Sequence, residues 1–137
     1  MLWIEVGGTV EPYSKEFDFS GRNKIYMNGS DVFKVAVREM CKASLKAIER
    51  AGLQPEDISL IVPHQANIRI IEAIAKRLRR SMDHVFVNIE KYGNTSAASI
   101  PLALDEAARE GRIKEGDNVL MVAFGGGLIW GASVVKW

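Results

Sequence analysis

Three short segments of this sequence carry groups that could act on a carbonyl compound. His64 follows the apolar run Ser59–Val62, Asn94 follows Gly93, and glycines fill positions 125–127. An imidazole can serve as a base or a hydrogen-bond donor near neutral pH, and an asparagine amide can point its N–H at a substrate carbonyl. Glycines let a ligand approach the backbone and its N–H donors. Each segment is therefore a candidate for part of a functional site.

Each of these segments also has a purely structural interpretation. His64 could be held by backbone hydrogen bonds at the start of a helix, and an asparagine before a helix is usually a cap. The glycines at 125–127 could make only a tight turn, since they lack the Lys-Ser/Thr of a phosphate loop and the spacing of a dinucleotide fingerprint. These residue types and spacings leave both interpretations open.

The one cysteine, Cys41, is a weak candidate for a nucleophile. It lies four residues from Val37 and Leu45 and seven from Ile48, so these side chains share one helix face and Cys41 is predicted to be a small buried hydrophobe. A reactive thiol needs an exposed, electropositive setting. No group of His, Cys and carboxylate residues has metal-ligand spacing, so no metal site is predicted. His84 lies in a predicted loop and has no evident partner.

A basic helix face is a further candidate. Arg69, Lys76 and Arg80 are spaced seven and four residues apart, and Arg77 and Arg79 lie beside them. The face could simply be solvated. Alternatively, it could be a docking patch, because clustered cations steer an acidic partner toward a surface.

The elements that position these residues alternate between helices and strands. Apolar residues from 33 to 48 recur at three- and four-residue spacing, which indicates a helix that Ser30 or Asp31 caps and Gly52 ends. Pro101 falls in the first turns of another helix, where proline is tolerated. The predicted elements are a strand at 2–6, a loop to 27, the helix from 30 to 52, a strand at 59–62, a helix at 66–80, a strand at 85–87, a helix at 96–109, and strands at 118–124 and 128–135.

This order predicts an α/β fold with a mixed, mostly parallel sheet, flanking helices and a C-terminal hairpin. In such sheets the chemistry gathers at the carboxyl ends of the strands. His64, Asn94 and the glycines each follow a different predicted strand. We therefore expect three separate turns to converge on one edge of the sheet.

The composition is that of an ordinary globular chain. The 137 residues are 47% hydrophobic and 26% charged, with 18 Lys+Arg against 17 Asp+Glu, which excludes a disordered chain and a strongly basic nucleic-acid-binding surface. The length predicts one domain over 1–137, with 1–27 as an irregular lead-in. One cysteine excludes an internal disulfide and favours a reducing compartment. The apolar run 119–135 is interrupted by glycines, so we expect strands there, no membrane span and a cytoplasmic location.

Four segments in the same order resemble β-ketoacyl-acyl-carrier-protein synthase III: Gly29–Val37, Val62–Asn67, Tyr92–Ser99 and Ala123–Gly131. The resemblance covers essentially the whole chain. It implies a thiolase-like fold of two similar halves, of which this chain matches the C-terminal one. The family's nucleophilic cysteine lies in the N-terminal half, and Cys41 is not at its position. We therefore expect the isolated chain to be inactive unless an N-terminal half is supplied.

The resemblance implies an acyltransferase that starts fatty-acid synthesis by decarboxylative condensation of acyl-CoA with malonyl-acyl carrier protein. By the matched motifs, His64 and Asn94 would donate hydrogen bonds to the malonyl thioester oxygen. The Gly126 backbone N–H would serve a second oxyanion on the acyl-cysteine, and Phe124 would wall the nucleophile pocket. Coenzyme A thioester is a substrate in this scheme, and no cofactor is expected. Ile129 stands where the family often has threonine.

The resemblance also implies how substrates are held. Positions lining the family's coenzyme A and pantetheine tunnel are matched by Gly29, Phe33, Ala66 and Asn67. The basic surface that meets the acidic carrier protein is matched by Lys34, Arg69, Lys76 and Arg77. The expected partners are acyl carrier protein, acyl-CoA, an N-terminal half and further copies of the chain, since the full enzyme is a dimer; neither nucleic acid nor membrane is expected.

Three other hypotheses stay open. The chain could bind carrier protein through Arg69, Lys76 and Arg80 without doing chemistry, or it could be a truncated product with no separate role. It could also belong to another thiolase-superfamily synthase, such as a polyketide or hydroxymethylglutaryl synthase, although the run from His64 to Asn67 favours ketoacyl synthase III. A separated half would expose apolar helix faces, so we expect a soluble form to be oligomeric or paired.

Overall fold

The chain divides into two compact units, Met1–Val35 and Ala36–Trp137. The structure is a computed structural model that describes residues 2–14 and 21–137. The division falls within the first long helix. The single-domain organisation expected from the length stays a prediction.

The first unit contains two short antiparallel strands, β1 (Leu2–Ile4) and β2 (Ile25–Met27). The rings of Trp3 and Tyr26 stack across this pair with their centroids 5.8 Å apart. The prediction of a loop up to residue 27 missed β2, because three residues are too few to show a strand period. The predicted strand at 2–6 is real but shorter, ending at Ile4.

Helix α1 (Gly29–Arg50) begins slightly earlier than the sequence predicted. Asn28, rather than Ser30 or Asp31, supplies the cap: its Oδ1 accepts a hydrogen bond of 3.2 Å from the Asp31 N–H. The helix ends at Arg50, and Gly52, which was expected to end it, lies in the turn that follows with a φ of +72° that suits glycine. Cys41 lies on the buried face as predicted, whereas Leu45 is 47% exposed.

A three-stranded mixed sheet forms the centre of the second unit. Its strands are β3 (Leu60–Pro63), β4 (Asn118–Gly125) and β5 (Ile129–Lys136), in the order β3-β4-β5. β3 and β4 are parallel, and β4 and β5 form the predicted antiparallel hairpin. The α/β class and the mixed sheet are therefore confirmed.

The predicted strand at 85–87 is reduced to a single parallel bridge between Val85 and Ile61. The Phe86 N–H also donates to the Ile61 carbonyl over 2.9 Å, so this segment lies on the side of β3 opposite to β4. Regular pairing stops there because a buried side chain, Gln65, takes the next backbone groups of the segment, Phe86 O and Asn88 N.

Three helices complete the second unit: α2 (Ile68–Arg77), α3 (Ile89–Tyr92) and α4 (Ser99–Arg109). The sequence missed the single-turn α3, and it placed the start of the last helix at 96, where a 3₁₀ turn, Ser96–Ala98, precedes α4. α4 packs on the sheet, with Ala103 and Ala107 in one buried cluster with Leu60 and Val62. Small side chains on α4 let the helix lie close to β3. Within the described residues, no helix is both long and apolar enough to cross a bilayer.

Candidate functional site

His64 is delivered by the carboxyl end of β3. All four residues of that strand are buried, and the His64 N–H continues the ladder by donating to the Val122 carbonyl of β4 over 2.8 Å. The chain then turns, with the Ala66 N–H donating to the His64 carbonyl, and α2 begins one residue after Asn67. The imidazole is half-buried at this edge of the sheet.

One nitrogen of the His64 ring is anchored, and the other has no hydrogen-bond partner among the residues that the structure describes. Nδ1 lies 2.6 Å from the Oγ of Ser99, the first residue of α4. No described residue makes a hydrogen bond to Nε2. Burial lowers the pKa of His64, which favours the neutral imidazole. A neutral ring can still donate one hydrogen bond, and the free Nε2 is the atom positioned for that task.

Asn94 shows the same division between a held atom and a free one. Its Oδ1 accepts a 3.0 Å hydrogen bond from the Ser96 N–H, which is an Asx turn rather than the predicted helix cap, because Thr95 is the N-cap of the 3₁₀ turn that follows. The residue is exposed, and its Nδ2 has no hydrogen-bond partner in the described part of the chain. Because Oδ1 is held at Ser96, the two N–H donors of Nδ2 are directed elsewhere. Closing this turn through Oδ1 and donating to a ligand through Nδ2 are therefore compatible roles.

The sequence did not single out the buried Gln65 as a structural residue. Its Nε2 donates to the carbonyls of Pro63 (2.8 Å) and Phe86 (3.1 Å), and its Oε1 accepts from the Asn88 N–H (3.0 Å). The Gln65 carboxamide thus makes the hydrogen bonds to Phe86 and Asn88 that the backbone of a neighbouring strand would make in a sheet. A glutamine directly after a candidate histidine gave no such signal, because two of its three partners, Phe86 and Asn88, lie more than twenty residues away.

Glu106 of α4 anchors the segment that leads to Asn94. Its carboxylate accepts from Asn88 Nδ2 (2.8 Å) and Tyr92 Oη (3.3 Å) and pairs with Lys91. These contacts, the Lys91 hydrogen bond first, hold the pKa of Glu106 below its ordinary value. α4 therefore fixes both the turn before Asn94, through Glu106, and the His64 ring, through Ser99.

The glycine turn joins β4 to β5 as predicted. Gly125 pairs with Ile129, and Gly127 has a φ of +73°, which favours glycine. At Gly126, no atom of the described residues other than the glycine and its two chain neighbours lies within 4 Å of where a Cβ would sit. The packing of this chain therefore does not require glycine at 126. Phe124 is half-buried and lies opposite Trp130 in the hairpin.

Contacts with intermediate residues relate the segments that carry the candidate residues. His64 contacts Ser99, which lies five residues after Asn94. The glycine turn begins three residues, or about 10 Å along β4, beyond Val122, whose carbonyl accepts from the His64 N–H. Gly29, Phe33 and Lys34 lie in the first turns of α1, within the first unit.

The predicted tunnel residues Ala66 and Asn67 lie in the turn that joins β3 to α2. Ala66 is half-buried, and Asn67 is exposed and caps α2, its Oδ1 accepting from the Arg69 N–H over 2.9 Å. This cap accounts for the observed helix start at Ile68 rather than at 66. This cap uses only the Oδ1 atom of Asn67, so it does not engage the Nδ2 group.

The basic face of α2 is smaller than the sequence suggested. Arg69, Lys76 and Arg77 are exposed and form no ion pair with any described residue. Arg80 is withdrawn from this face: its guanidinium donates to the Ile58 carbonyl over 2.8 Å and is half-buried. Including Arg80 in a docking patch was therefore wrong, because the helix ends before it and the side chain binds the backbone.

Cys41 is 6% exposed, and burial raises the pKa of its thiol more than the nearby Arg77 charge lowers it. Those properties are the opposite of an activated nucleophile. His84, the other histidine, is exposed, and its Nδ1 lies 3.2 Å from the Ser59 carbonyl. Among the described residues, no three His, Cys, Asp or Glu side chains are grouped as metal ligands would be.

A mixed sheet with flanking helices, and a histidine at the carboxyl end of one of its strands, is an α/β arrangement of the thiolase-like class. Comparison of the fold agrees: a β-ketoacyl-[acyl carrier protein] synthase III from Thermus thermophilus superposes with a TM-score of 0.86 at 55% identity, covering 99% of this chain and 41% of that chain.

The chain belongs to the 3-oxoacyl-[acyl-carrier-protein (ACP)] synthase III C-terminal family, whose family model matches residues 48–137. A β-ketoacyl-[acyl-carrier-protein] synthase III from Clostridioides difficile (strain 630) is 61% identical over 99% of this chain, and one from Roseiflexus sp. (strain RS-1) is 54% identical over 100% of it. The chain spans 42% of the length of each of these two relatives.

Proposed function

We propose that this chain supplies the C-terminal half of a ketoacyl synthase III active site. In the proposed reaction, an acyl group passes from coenzyme A to a cysteine of an N-terminal half, and malonyl-acyl carrier protein then loses carbon dioxide. The resulting carbanion attacks the carbonyl of the acyl-cysteine thioester, so that a carbon–carbon bond forms, the carbon–sulfur bond breaks and the cysteine leaves as thiolate. The observation that carries the proposal is that no described residue binds the donors His64 Nε2 and Asn94 Nδ2, each of which is on a side chain whose other polar atom is held.

Decarboxylation explains why two fixed donors would be useful. Loss of carbon dioxide leaves enolate charge on the malonyl thioester oxygen, and donors held in place before the reaction stabilise that charge without reorganising. His64 would give its Nε2 proton as a hydrogen bond, so a neutral ring suffices, in keeping with its lowered pKa. Asn94 would give an amide N–H of Nδ2.

Two further residues complete the proposed half-site. The Gly126 N–H would serve the second oxyanion, which forms on the acyl-cysteine, and Phe124 would wall the nucleophile pocket. The open space around Gly126 supports this role, because a close approach by another group needs such space. The buried, weakly acidic thiol of Cys41 supports placing the nucleophile on an N-terminal half.

Substrate binding is proposed on two surfaces. The pantetheine tunnel would include Gly29, Phe33, Ala66 and Asn67. The acidic carrier protein would dock on the exposed cations Lys34, Arg69, Lys76 and Arg77, of which the three on α2 are unpaired among described residues. We propose coenzyme A thioester as a substrate, no separate cofactor and a cytoplasmic location.

The proposal is tested by reconstitution. The chain is combined with the N-terminal part of the Clostridioides difficile relative, and condensation of acyl-CoA with malonyl-acyl carrier protein is measured. Each part alone is expected to be inactive and the assembly active. His64→Ala should lower the rate by ~10²–10³, the usual loss for one oxyanion donor.

His84→Ala is the matched control, because it removes an exposed histidine that lies outside the proposed site. The relative's own C-terminal part, combined with the same N-terminal part, shows that the assay works. Full activity of the His64→Ala assembly would contradict the proposal, as would an inactive assembly beside an active control.

A second candidate function is binding of carrier protein without catalysis, and the unpaired cations of α2 favour it. The chain alone should then bind an acidic acyl carrier protein with an affinity that falls as salt rises. Joint replacement by Arg69→Glu and Lys76→Glu should weaken binding by about tenfold or more, whereas Lys46→Glu, an exposed charge on α1, should not. Salt-independent binding, or none, would remove this candidate.

A further inference from the structure

A buried hydroxyl contacts the candidate histidine. Ser99 is 2% exposed, and its Oγ lies 2.6 Å from His64 Nδ1. The backbone N–H of Gln65 donates to the same Oγ over 3.4 Å. Among the described residues, the hydroxyl therefore has two hydrogen-bonding neighbours, both from the turn that follows β3, and it stands itself at the start of α4.

The hydrogen of this hydroxyl needs an acceptor, because a buried O–H without one is costly. The Gln65 N–H is a donor and cannot accept it. Among the described residues, His64 Nδ1 is the one acceptor at hydrogen-bond distance from the Ser99 Oγ. The O–H is satisfied only if it donates to Nδ1, which must then carry no proton.

A proton on His64 Nδ1 would leave the hydroxyl hydrogen of Ser99 without an acceptor among the described residues. With the proton on Nδ1, both His64 and the Gln65 N–H would donate to the same Oγ, and the hydroxyl hydrogen would point at no described acceptor. A neutral imidazole carries one proton, so an unprotonated Nδ1 means that Nε2 is the donor. The contact thus selects between the two tautomers of the ring.

We propose that Ser99 is a positioning residue that holds His64 in the tautomer with its proton on Nε2, ready to donate away from α4. Its catalytic consequence rests on the proposed function, since only there does Nε2 face a thioester oxygen. The tautomer itself is a property of this chain and can be measured without any reaction.

The direct test is ¹⁵N NMR of the imidazoles of the full 137-residue chain at about pH 8, above the ordinary histidine pKa. Long-range proton–nitrogen correlations show which ring nitrogen carries the proton, and the spectrum of His84→Gln assigns the two histidines. We expect Nε2 of His64 to be protonated and Nδ1 not. In Ser99→Ala, the ¹⁵N chemical shifts of His64 Nδ1 and Nε2 should move toward each other, because the two tautomers then mix.

Variants separate this role from a general effect on folding. Ser99→Thr keeps the hydroxyl and should restore the wild-type pattern. Ser44→Ala is the matched control, because Ser44 is a buried serine whose Oγ has no partner in the described residues. If Ser99→Ala does not fold, Ser99→Cys replaces it. In Ser99→Cys the two ¹⁵N chemical shifts of His64 should approach each other by a smaller amount, since a thiol is a weaker donor. A proton on Nδ1 in the wild type, or unchanged shifts in folded Ser99→Ala, would overturn the inference.

The reconstituted assay adds the catalytic consequence. Ser99→Ala should lower kcat by about two- to tenfold with little change in KM, because only the fraction of molecules in the Nε2-protonated tautomer is competent. If the spectra show the predicted tautomer but His64→Ala keeps full activity, the proposed function fails and the tautomer assignment stands. If His64→Ala is inactive and the tautomer is wrong, the proposed function stands and this inference fails.

Discussion

The His64 imidazole combines an anchored nitrogen with a free one, and its surroundings favour the neutral ring. Burial lowers the pKa of His64. The hydroxyl of Ser99 lies against Nδ1, while Nε2 has no partner among the described residues. A side chain arranged in this way is suited to donating a hydrogen bond near neutral pH, rather than to carrying a positive charge.

The lowered pKa predicts how the stability of the chain depends on pH. The unfolded chain takes up a proton on His64 near its ordinary pKa of about 6.5, whereas the folded chain does so only at lower pH. The unfolded state therefore binds more protons in this window, and stability falls as the pH drops from about 6.5 toward the lower folded pKa.

The measurement is denaturant unfolding of the chain from about pH 8 down to 5. His64→Gln should remove this part of the pH dependence, and His84→Gln, which removes the exposed histidine, should keep it. An identical pH dependence in the wild type and in His64→Gln would show that burial of His64 does not lower its proton affinity.

The turn from β3 into α2 depends on Gln65, which is 1% exposed. Replacing it by Gln65→Glu puts a carboxylate oxygen against the carbonyls of Pro63 and Phe86, where the wild type has a donor. We expect a loss of stability of about 1–3 kcal/mol at neutral pH. The loss should shrink in acid, because the protonated carboxyl regains a donor and its pKa is raised in the folded state.

Gln54→Glu is the control for Gln65→Glu, since it makes the same change at an exposed position. Urea unfolding of both variants across pH measures the difference. Equal, small effects of the two substitutions would show that the hydrogen bonds of Gln65 do not hold this turn.

The long periodic elements were predictable and the short ones were not. α1 and the hairpin of β4 and β5 were expected from their apolar spacing and from the glycines between the strands. β2 and α3 were missed, since three or four residues carry no readable period. The strand expected at 85–87 fell to one bridge because the Gln65 side chain replaces a backbone partner, a long-range contact that no local pattern encodes.

The candidate site was predictable to the same extent. His64 and Asn94 stand at element ends, where sequence reasoning looks for chemistry, and the family resemblance assigned their roles. Ser99 and Glu106 were not singled out, because a serine and a glutamate on a helix have no distinguishing spacing. Their importance follows from contacts with residues that lie 14 or more positions away. Arg80 was misassigned for the same reason.

For the whole chain, the exposed apolar residues of β5 predict association. Ile129 and Trp130 on this strand and Trp137 after it are exposed, and β5 has a strand neighbour on one side only in the described sheet. Exposed strand edges and exposed apolar patches are typical of surfaces that associate with another protein chain. Sedimentation should give a mass above 15.2 kDa, or a defined complex when an N-terminal half is present. A monodisperse 15.2 kDa monomer in both cases would contradict this expectation.

The central claim is that His64 and Asn94 of this chain act together on one oxyanion of the malonyl thioester. The most direct measurement is the rate of carbon dioxide release from malonyl-acyl carrier protein by the reconstituted assembly, in a double-mutant cycle. His64→Ala and Asn94→Ala should each lower the rate by ~10²–10³. The fold loss of the double variant should be clearly smaller than the product of the two single fold losses, because the effects of residues that act as a unit are not additive. A wild-type rate in either single variant would contradict joint action of His64 and Asn94 on one oxyanion. A double-variant fold loss equal to the product of the two single losses would contradict it as well.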